Sequence, residues 1–370
     1  MRILVAPDKF AGTLSTVEAA AVIVEGWHRH APDDQLSALA MSDGGPGFVH
    51  ALASHLDGEL LAVSVSGPYG VRVPATVLMH DGTAYVEAAQ ACGLHLTPAD
   101  RRDPEHATSF GVGELIGAAI DADAERVVVG LGGVAANDGG AGLLNALGAD
   151  PGIGSGIDLR AGAAGLAALV DGSAVDLTWA YRRIGDVELV MASDVDNPLL
   201  GLRGATNVHG GHRGIADERK PAVDGLLERL ALATDRSAAD RPGAGAGGGL
   251  GFALQLLGGS RRGGVELVAD VAGLAVRCAA VDLVLTGEGA FDYSSRDGTV
   301  VYGVAQAAGA AARPCVVLAG RVDVASREMR ALGVEQAYSA TDLVGGEAAL
   351  GDPVGSLASL AAKVARQWSR

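Results

Sequence analysis

Aromatic residues are scarce in this chain of 370 residues, at 4% of the sequence, so its core has to be built mainly from Ala, Val and Leu. Cysteine is scarcer still. Cys92, Cys278 and Cys315 are widely spaced and odd in number, which is neither a disulfide framework nor a zinc-ligand spacing. Such thiols are expected to be buried in a reducing compartment. Positive charge is also short, with 28 Lys and Arg against 44 Asp and Glu and a formal net charge of −16. A field of that sign repels phosphate backbones, so no nucleic-acid partner is expected. A polyanionic substrate would need a local cation or a metal. No uninterrupted apolar run reaches the ~18 residues of a membrane span, and no membrane partner is expected. The strand-like run Ile3-Leu4-Val5-Ala6 begins at once, with no basic region and apolar signal core ahead of it. The expected setting is cytoplasmic.

Glycine, by contrast, is abundant at 55 residues. It shows no Gly-X-Y period, which excludes collagen, and it punctuates apolar runs instead of replacing them, which excludes low-complexity disorder. The length suits two domains. A strand over Ile3–Pro7, a capping box at Ser15 and Glu18, a helix carrying Ala20, Ile23, Val24 and Trp27, and a strand at Leu36–Met41 give βαβ order at the start. The same order returns near the end. Val281–Leu285 reads as a strand, Gly287–Gly298 as a loop, Val300–Ala312 as a helix and Cys315–Leu318 as a strand. Strands alternating with helices imply a mostly parallel, doubly wound sheet built from both chain ends. Val127–Leu131 and Glu188–Ala192 are strands of a second α/β domain inserted in the middle. The expected division is 1–65 with 275–370, around an inserted 66–274. Asp150–Gly165 reads as a glycine-rich linker or surface loop.

Five loops follow the carboxyl ends of these strands and combine glycine with acids or amides, at the edge where open α/β sheets bind ligands. In Gly130–Gly140 the glycines Gly132, Gly133, Gly139 and Gly140 allow successive N–H groups to point at an anion. Asn137 and Asp138 are either a cap or substrate and metal groups. The Walker Gly-Lys-Ser/Thr ending is missing. Pro242–Gly251, with Gly245 and Gly247, is either a loop packed tightly on a helix or a nucleotide phosphate loop. A Gly-x-Gly-x-x-Gly match threaded through so many glycines carries no weight. The acidic candidates are Asp8, Asp43, Asp194, Glu288 and Asp292. Such carboxylates hold Mg²⁺ or accept a hydroxyl proton in phosphoryl transfer. His209 and His212 could ligate a metal, but Gly210-Gly211 between them denies them a rigid helix. Arg213 is the better candidate, as a cation for a carboxylate or phosphate.

Taken in order, these stretches resemble the bacterial glycerate kinase family over essentially the whole chain. They are Ala6-Pro7-Asp8, Ser42-Asp43-Gly44-Gly45, Gly113-Glu114-Leu115-Ile116, Gly132-Gly133, Asn137 to Gly142, Asp194, Asn197-Pro198-Leu199, Pro242 to Ala246 and Thr286 to Gly289. The resemblance implies transfer of the ATP γ-phosphate to a hydroxyl of D-glycerate with Mg²⁺. It gives candidate roles to Asp8, Asp43, Asn137, Asp138, Asp194, Asn197, Glu288 and Asp292 without assigning the base or the metal ligands among them. With the reading of the residues, the candidate catalytic groups are Asp8, Asp43, Asp194, Glu288, Asp292 and Arg213, the candidate metal ligands are Asp194 and Asp292, and the candidate nucleotide site is the two glycine loops. The sequence departs from the family pattern at Ala11, Pro46, Phe48, Val134, Ala136, Ala290 and Thr299, where lysine, glutamate, threonine, serine or threonine, arginine and lysine are common. Arg213 falls on a family lysine. Lys9, Arg213, Arg296 and Arg321 are the cations left to serve the phosphates. Three readings stand at this point: a glycerate kinase; a kinase for another small hydroxy acid, with Phe48, Val134 and Ala136 lining a more apolar pocket; and a non-catalytic binding or regulatory protein.

Overall fold

A computed structural model describes residues 1–10, 12–152, 156–295 and 298–369. The candidates Ala11 and Arg296, and part of the 150–165 segment, lie outside the described residues. Among the described residues eleven strands run in chain order: β1 (Arg2–Val5), β2 (Gln35–Ala38), β3 (Glu59–Ser66), β4 (Arg72–His80), β5 (Thr83–Glu87), β6 (Arg126–Gly130), β7 (Glu188–Ala192), β8 (Ser260–Arg262), β9 (Leu283–Phe291), β10 (Cys315–Val322) and β11 (Gln336–Ser339). They form two sheets in two compact units, and the α/β class expected from the sequence holds.

The first unit comprises Met1–Asp43, His50–Leu56 and Gly263–Arg370. Its sheet has the order β11-β10-β9-β1-β2 and is parallel throughout. Alternation along the strands splits the apolar residues between two faces. Ile3, Val5, Leu283, Leu285, Val316 and Leu318 pack beneath the helices Thr16–His28 and Pro353–Trp368. The intervening Leu4, Val284 and Val317 are equally buried on the other side. The helix Thr16–His28 starts where the sequence predicts. The Ser15 hydroxyl accepts from the Glu18 amide, and the Glu18 side chain accepts from the Ser15 amide.

Two sequence expectations change in this unit. β9 does not end at Leu285 but continues to Phe291, with Gly287 opposite Leu318 and Ala290 opposite Arg321 on β10. A Cβ on Gly287 would lie 2.1 Å from the Leu318 carbonyl oxygen, so this glycine allows two strands to approach and does not break one. Thr299 is the N-cap of the helix Val300–Ala310, its hydroxyl accepting from the Tyr302 amide.

The second unit comprises Gly44–Val49 and Asp57–Arg262. Its sheet runs β3-β4-β5-β6-β7-β8, antiparallel as far as β5 and parallel beyond. Phe48 is buried edge-to-face with Tyr85, and Val134 and Ala136 belong to the hydrophobic core of this unit. All three are apolar and fully or almost fully buried, which makes them packing residues. The histidine pair also differs from expectation. His209 and His212 lie within a helix, Ala205–Arg213, which continues through both glycines. Burial of its Gly210 side against Ile215 outweighs the poor helix propensity of glycine. Among the described residues no helix is long and apolar enough to cross a membrane. All three cysteines are free and buried.

Candidate functional site

In the first unit β9, β1 and β2 are neighbours, and Glu288 within the extended β9 lies near Asp8, which follows β1, and Asp8 near Asp43, which follows β2. Hydrogen bonds stitch these segments to one another. The Asp8 amide donates to the Gly287 carbonyl at 2.7 Å, and the Thr286 hydroxyl donates to the Ala6 carbonyl at 2.8 Å. The buried Thr16 hydroxyl donates to the Pro7 carbonyl at 2.9 Å and accepts from the Met41 amide at 3.2 Å. The backbone after each strand is thereby fixed before any ligand arrives. Lys9 Nζ lies 3.5 Å from Asp8 Oδ1 and 3.3 Å from Asp43 Oδ1.

Crowding of carboxyl groups away from water sets their proton affinities. Burial pushes Asp8 up to about 6, with Lys9 opposing the rise and Asp43 adding to it. Burial pushes Glu288 up to about 7; the Ser295 hydroxyl opposes this, and the charges of Asp8 and Asp292 add to it. Glu288 Oε1 is buried and meets no hydrogen-bond partner. Burial works against the charge on Lys9, but Asp43 and Asp8 outweigh it and hold the ammonium above its ordinary range. Asp292 behaves oppositely to Glu288. The Ser294 hydroxyl and amide donate to its Oδ1 at 2.6 and 2.8 Å and hold the carboxyl below the usual range. The four acids of this unit therefore lie around one strand edge, with two carboxyls raised toward neutrality, one held below its usual range and one lysine among them. Arg321 is exposed and pairs with Asp323.

In the second unit most candidate glycines have a packing function. Gly139, Gly140 and Gly245 are buried. A Cβ on Gly140 would stand 2.3 Å from Ala253 Cβ, and one on Gly245 would stand 2.3 Å from the Pro198 carbonyl oxygen. The Gly139 amide donates to the Gly248 carbonyl at 3.0 Å, which clamps the two glycine-rich loops onto each other. Only Gly132, Gly133 and Gly247 keep some exposure. Asp138 is a buried cap, not a free ligand group. It accepts from the Ser109 amide and hydroxyl at 2.9 and 2.8 Å and from the Gly140 and Gly142 amides at 2.9 and 3.2 Å. Asp194 stands half-buried past the end of β7.

Asn137 and Arg213 behave differently from these packing residues. Asn137 is fully buried. Its Nδ2 donates to the Thr206 hydroxyl at 2.9 Å, while its Oδ1 meets no partner. Arg213 is 7% exposed, and its Nε and Nη1 are buried without a partner. Burial lowers its pKa to about 10. Cys92 opposes that fall, but it is itself a thiol that burial pushes up. Sequence reasoning missed Glu87, which ends β5 and is 4% exposed. Its carboxylate accepts from the Gly47 and Val49 amides at 3.1 and 3.3 Å and holds the Gly44–Val49 loop. An acid directly after an apolar strand was the available signal. Among the described residues no three His, Cys, Asp or Glu side chains are grouped to hold a metal by themselves.

Comparison with known proteins covers the whole chain. The profile of the glycerate kinase family matches residues 3–369. The glycerate kinase of Bacillus subtilis (strain 168) is 37% identical over 346 residues, 92% of this chain and 90% of that one. The glycerate 2-kinase of Escherichia coli (strain K12) is 35% identical, over 93% and 92%. A crystal structure from Salmonella typhimurium LT2 assigned as a glycerate kinase 2 superposes with a TM-score of 0.78 at 35% identity, over 99% of this chain and 98% of that one.

Proposed function

Because the chain belongs to the glycerate kinase family, we propose that it transfers the γ-phosphoryl group of ATP to a hydroxyl of D-glycerate in the presence of Mg²⁺. The observation that carries this reading is the carboxyl–lysine cluster formed by Glu288 of β9 with Asp8, Lys9 and Asp43 of the segments after β1 and β2. A hydroxyl is a weak nucleophile until a base takes its proton, and the most effective base has a pKa near the working pH. Glu288, at about 7, has that property, and its unpartnered Oε1 is free to accept the proton. Asp8 and Asp43 orient Lys9 from two sides, and the ammonium supplies positive charge for the transferring phosphoryl oxygens.

The donor set also fits a magnesium ion of the kind kinases use, which keeps several waters and takes only one or two protein carboxylates. Asp292 is the group of the first unit suited to hold it, since its hydrogen bonds keep it ionised and occupy only Oδ1. Asp194 retains the same candidate role at the end of β7. When bound, Mg²⁺ would neutralise charge on the β- and γ-phosphates. Of the glycine loops, Gly132, Gly133 and Gly247 are the positions with the exposure a nucleotide phosphate needs.

The test is direct. Purified protein with ATP, MgCl₂ and D-glycerate is expected to release ADP only when glycerate is present, and ³¹P NMR should detect a phosphoglycerate. Position 2 is the expected site, after the E. coli relative. EDTA should stop the reaction. ATP consumption that ignores glycerate, or no phosphoglycerate at millimolar substrates, would refute the reading.

A further inference from the structure

One helix face of the second unit carries groups whose bonding capacity nothing in the described chain satisfies. On the helix Ala205–Arg213, residues 206, 209 and 213 follow an i, i+3, i+7 spacing and therefore share a side. Thr206 on that side bonds Asn137 Nδ2 at 2.9 Å. His209 lies with Nε2 3.4 Å from Asn197 Oδ1. Arg213, on the last turn, directs its side chain back toward the earlier turns, as helical side chains do. The Cys92 thiol ties the two ends of this face together, because it interacts with the Ala136 amide and with the charges of both Asp138 and Arg213. The Ala136 amide thus touches this sulfur, and the guanidinium lies within electrostatic reach of it.

Three buried atoms in this arrangement lack partners: Asn137 Oδ1, Arg213 Nε and Arg213 Nη1. Buried polar groups are almost always hydrogen-bonded, and a buried guanidinium is almost always paired. Nε and Nη1 point to different sides of the guanidinium, so each can give its own charge-assisted hydrogen bond to an anionic oxygen such as that of a carboxylate. A vacant amide oxygen matches a hydroxyl donor. We infer that the Asn137–Thr206–Arg213 face is a recognition site for a small 2-hydroxycarboxylate, with Arg213 holding the carboxylate and Asn137 Oδ1 accepting from the 2-hydroxyl. This goes beyond the kinase reading by naming the groups that select the acceptor, and rests on that reading only for the choice of glycerate as the ligand.

The experiment measures binding without nucleotide, so that it stands apart from turnover. Calorimetry on the wild type is run with D-glycerate, with 3-hydroxypropionate, which lacks the 2-hydroxyl, and with glycerol, which lacks the carboxylate. Glycerate is expected to bind at least roughly tenfold more tightly than 3-hydroxypropionate, and glycerol not at all. Arg213→Met should weaken glycerate roughly 30- to 1000-fold, and Arg213→Lys should restore part of it. The same Arg213→Met change should leave the ligand-free melting temperature unchanged or higher, whereas loss of a structural arginine would lower it. Asn137→Asp supplies the missing counter-ion, so it should raise the ligand-free melting temperature and abolish glycerate binding. The inference falls if the wild type binds none of the three ligands, or prefers 3-hydroxypropionate. It also falls if Arg213→Met keeps glycerate affinity within about threefold, or if the loss falls on ATP instead. Glycerate binding with no glycerate-dependent ATP consumption would leave this site intact and refute the kinase reading. An active kinase indifferent to Arg213→Met would do the reverse.

Discussion

Replacing Glu288 by Gln separates the chemistry of the strand-edge cluster from its strain on the fold. The native carboxyl titrates at about 7, against an ordinary 4.5 for the unfolded chain. Each tenfold difference in proton affinity is worth about 1.4 kcal/mol, so keeping Glu288 ionised costs the native state roughly 3 kcal/mol at high pH. The direction follows from the raised value. Between pH 4.5 and 7 the folded protein holds the proton that the unfolded chain has released, so stability falls as pH rises and levels off above 7. The amide introduced by Glu288→Gln has no such proton to lose. The stability advantage of the variant over the wild type should therefore grow by about 2 kcal/mol between pH 5.5 and pH 8. Paired urea titrations at the two pH values measure this difference, and any constant effect of the amide cancels. In the same variant kcat should fall by roughly 10²- to 10⁴-fold, the usual contribution of a positioned base. A stability difference that is flat with pH would show that Glu288 is not strained, and kcat within about threefold of the wild type would show that it is not the base.

Other substitutions probe the supports of the site. Lys9→Met leaves Asp8 and Asp43 without their shared cation; glycerate-dependent turnover should drop by roughly 10²-fold or more, and the acidic limb of the pH–rate profile should move upward. Asp138→Asn replaces an acceptor of four hydrogen bonds by a group that must also donate, and should destabilise the protein by about 2–4 kcal/mol in chemical unfolding. Thr299→Lys restores the cation common in the family but removes a helix cap, so melting should show a loss of about 1 kcal/mol whatever happens to activity.

The strand-edge acids were legible in the sequence because apolar runs ending in Asp8, Asp43 and Glu288 must share one edge once their strands lie parallel. The capping box at Ser15 was legible for an equally local reason, since both of its bonds lie within one turn. The glycine loops were not. A loop that cradles phosphate and a loop that packs its backbone against another loop both need residues without Cβ, and only the contacts of Gly139, Gly140 and Gly245 separate the cases. The same ambiguity hid the extension of β9 through Gly287 and the helix through Gly210-Gly211. The substitution at Phe48 suggested a reshaped pocket because sequence gives no direction for a side chain. Its burial against Tyr85 makes it part of the core. The unpartnered atoms of Asn137 and Arg213 could not be foreseen, because an absent partner is a property of three-dimensional surroundings.

The place of β1 between β9 and β2 has a consequence for synthesis. Ile3 pairs with Leu283, so β1 waits for a strand made 280 residues later. At about 5–20 residues per second that interval is on the order of 15 to 60 s. The second unit, whose segments are all made by Arg262, can close during the delay while the apolar Ile3–Ala6 run remains without its central neighbour. Asp8 and Glu288 then meet last. A chain interrupted before β9 thus lacks the paired acids altogether, and the protein cannot acquire its chemistry until Glu288 has been made and placed beside Asp8.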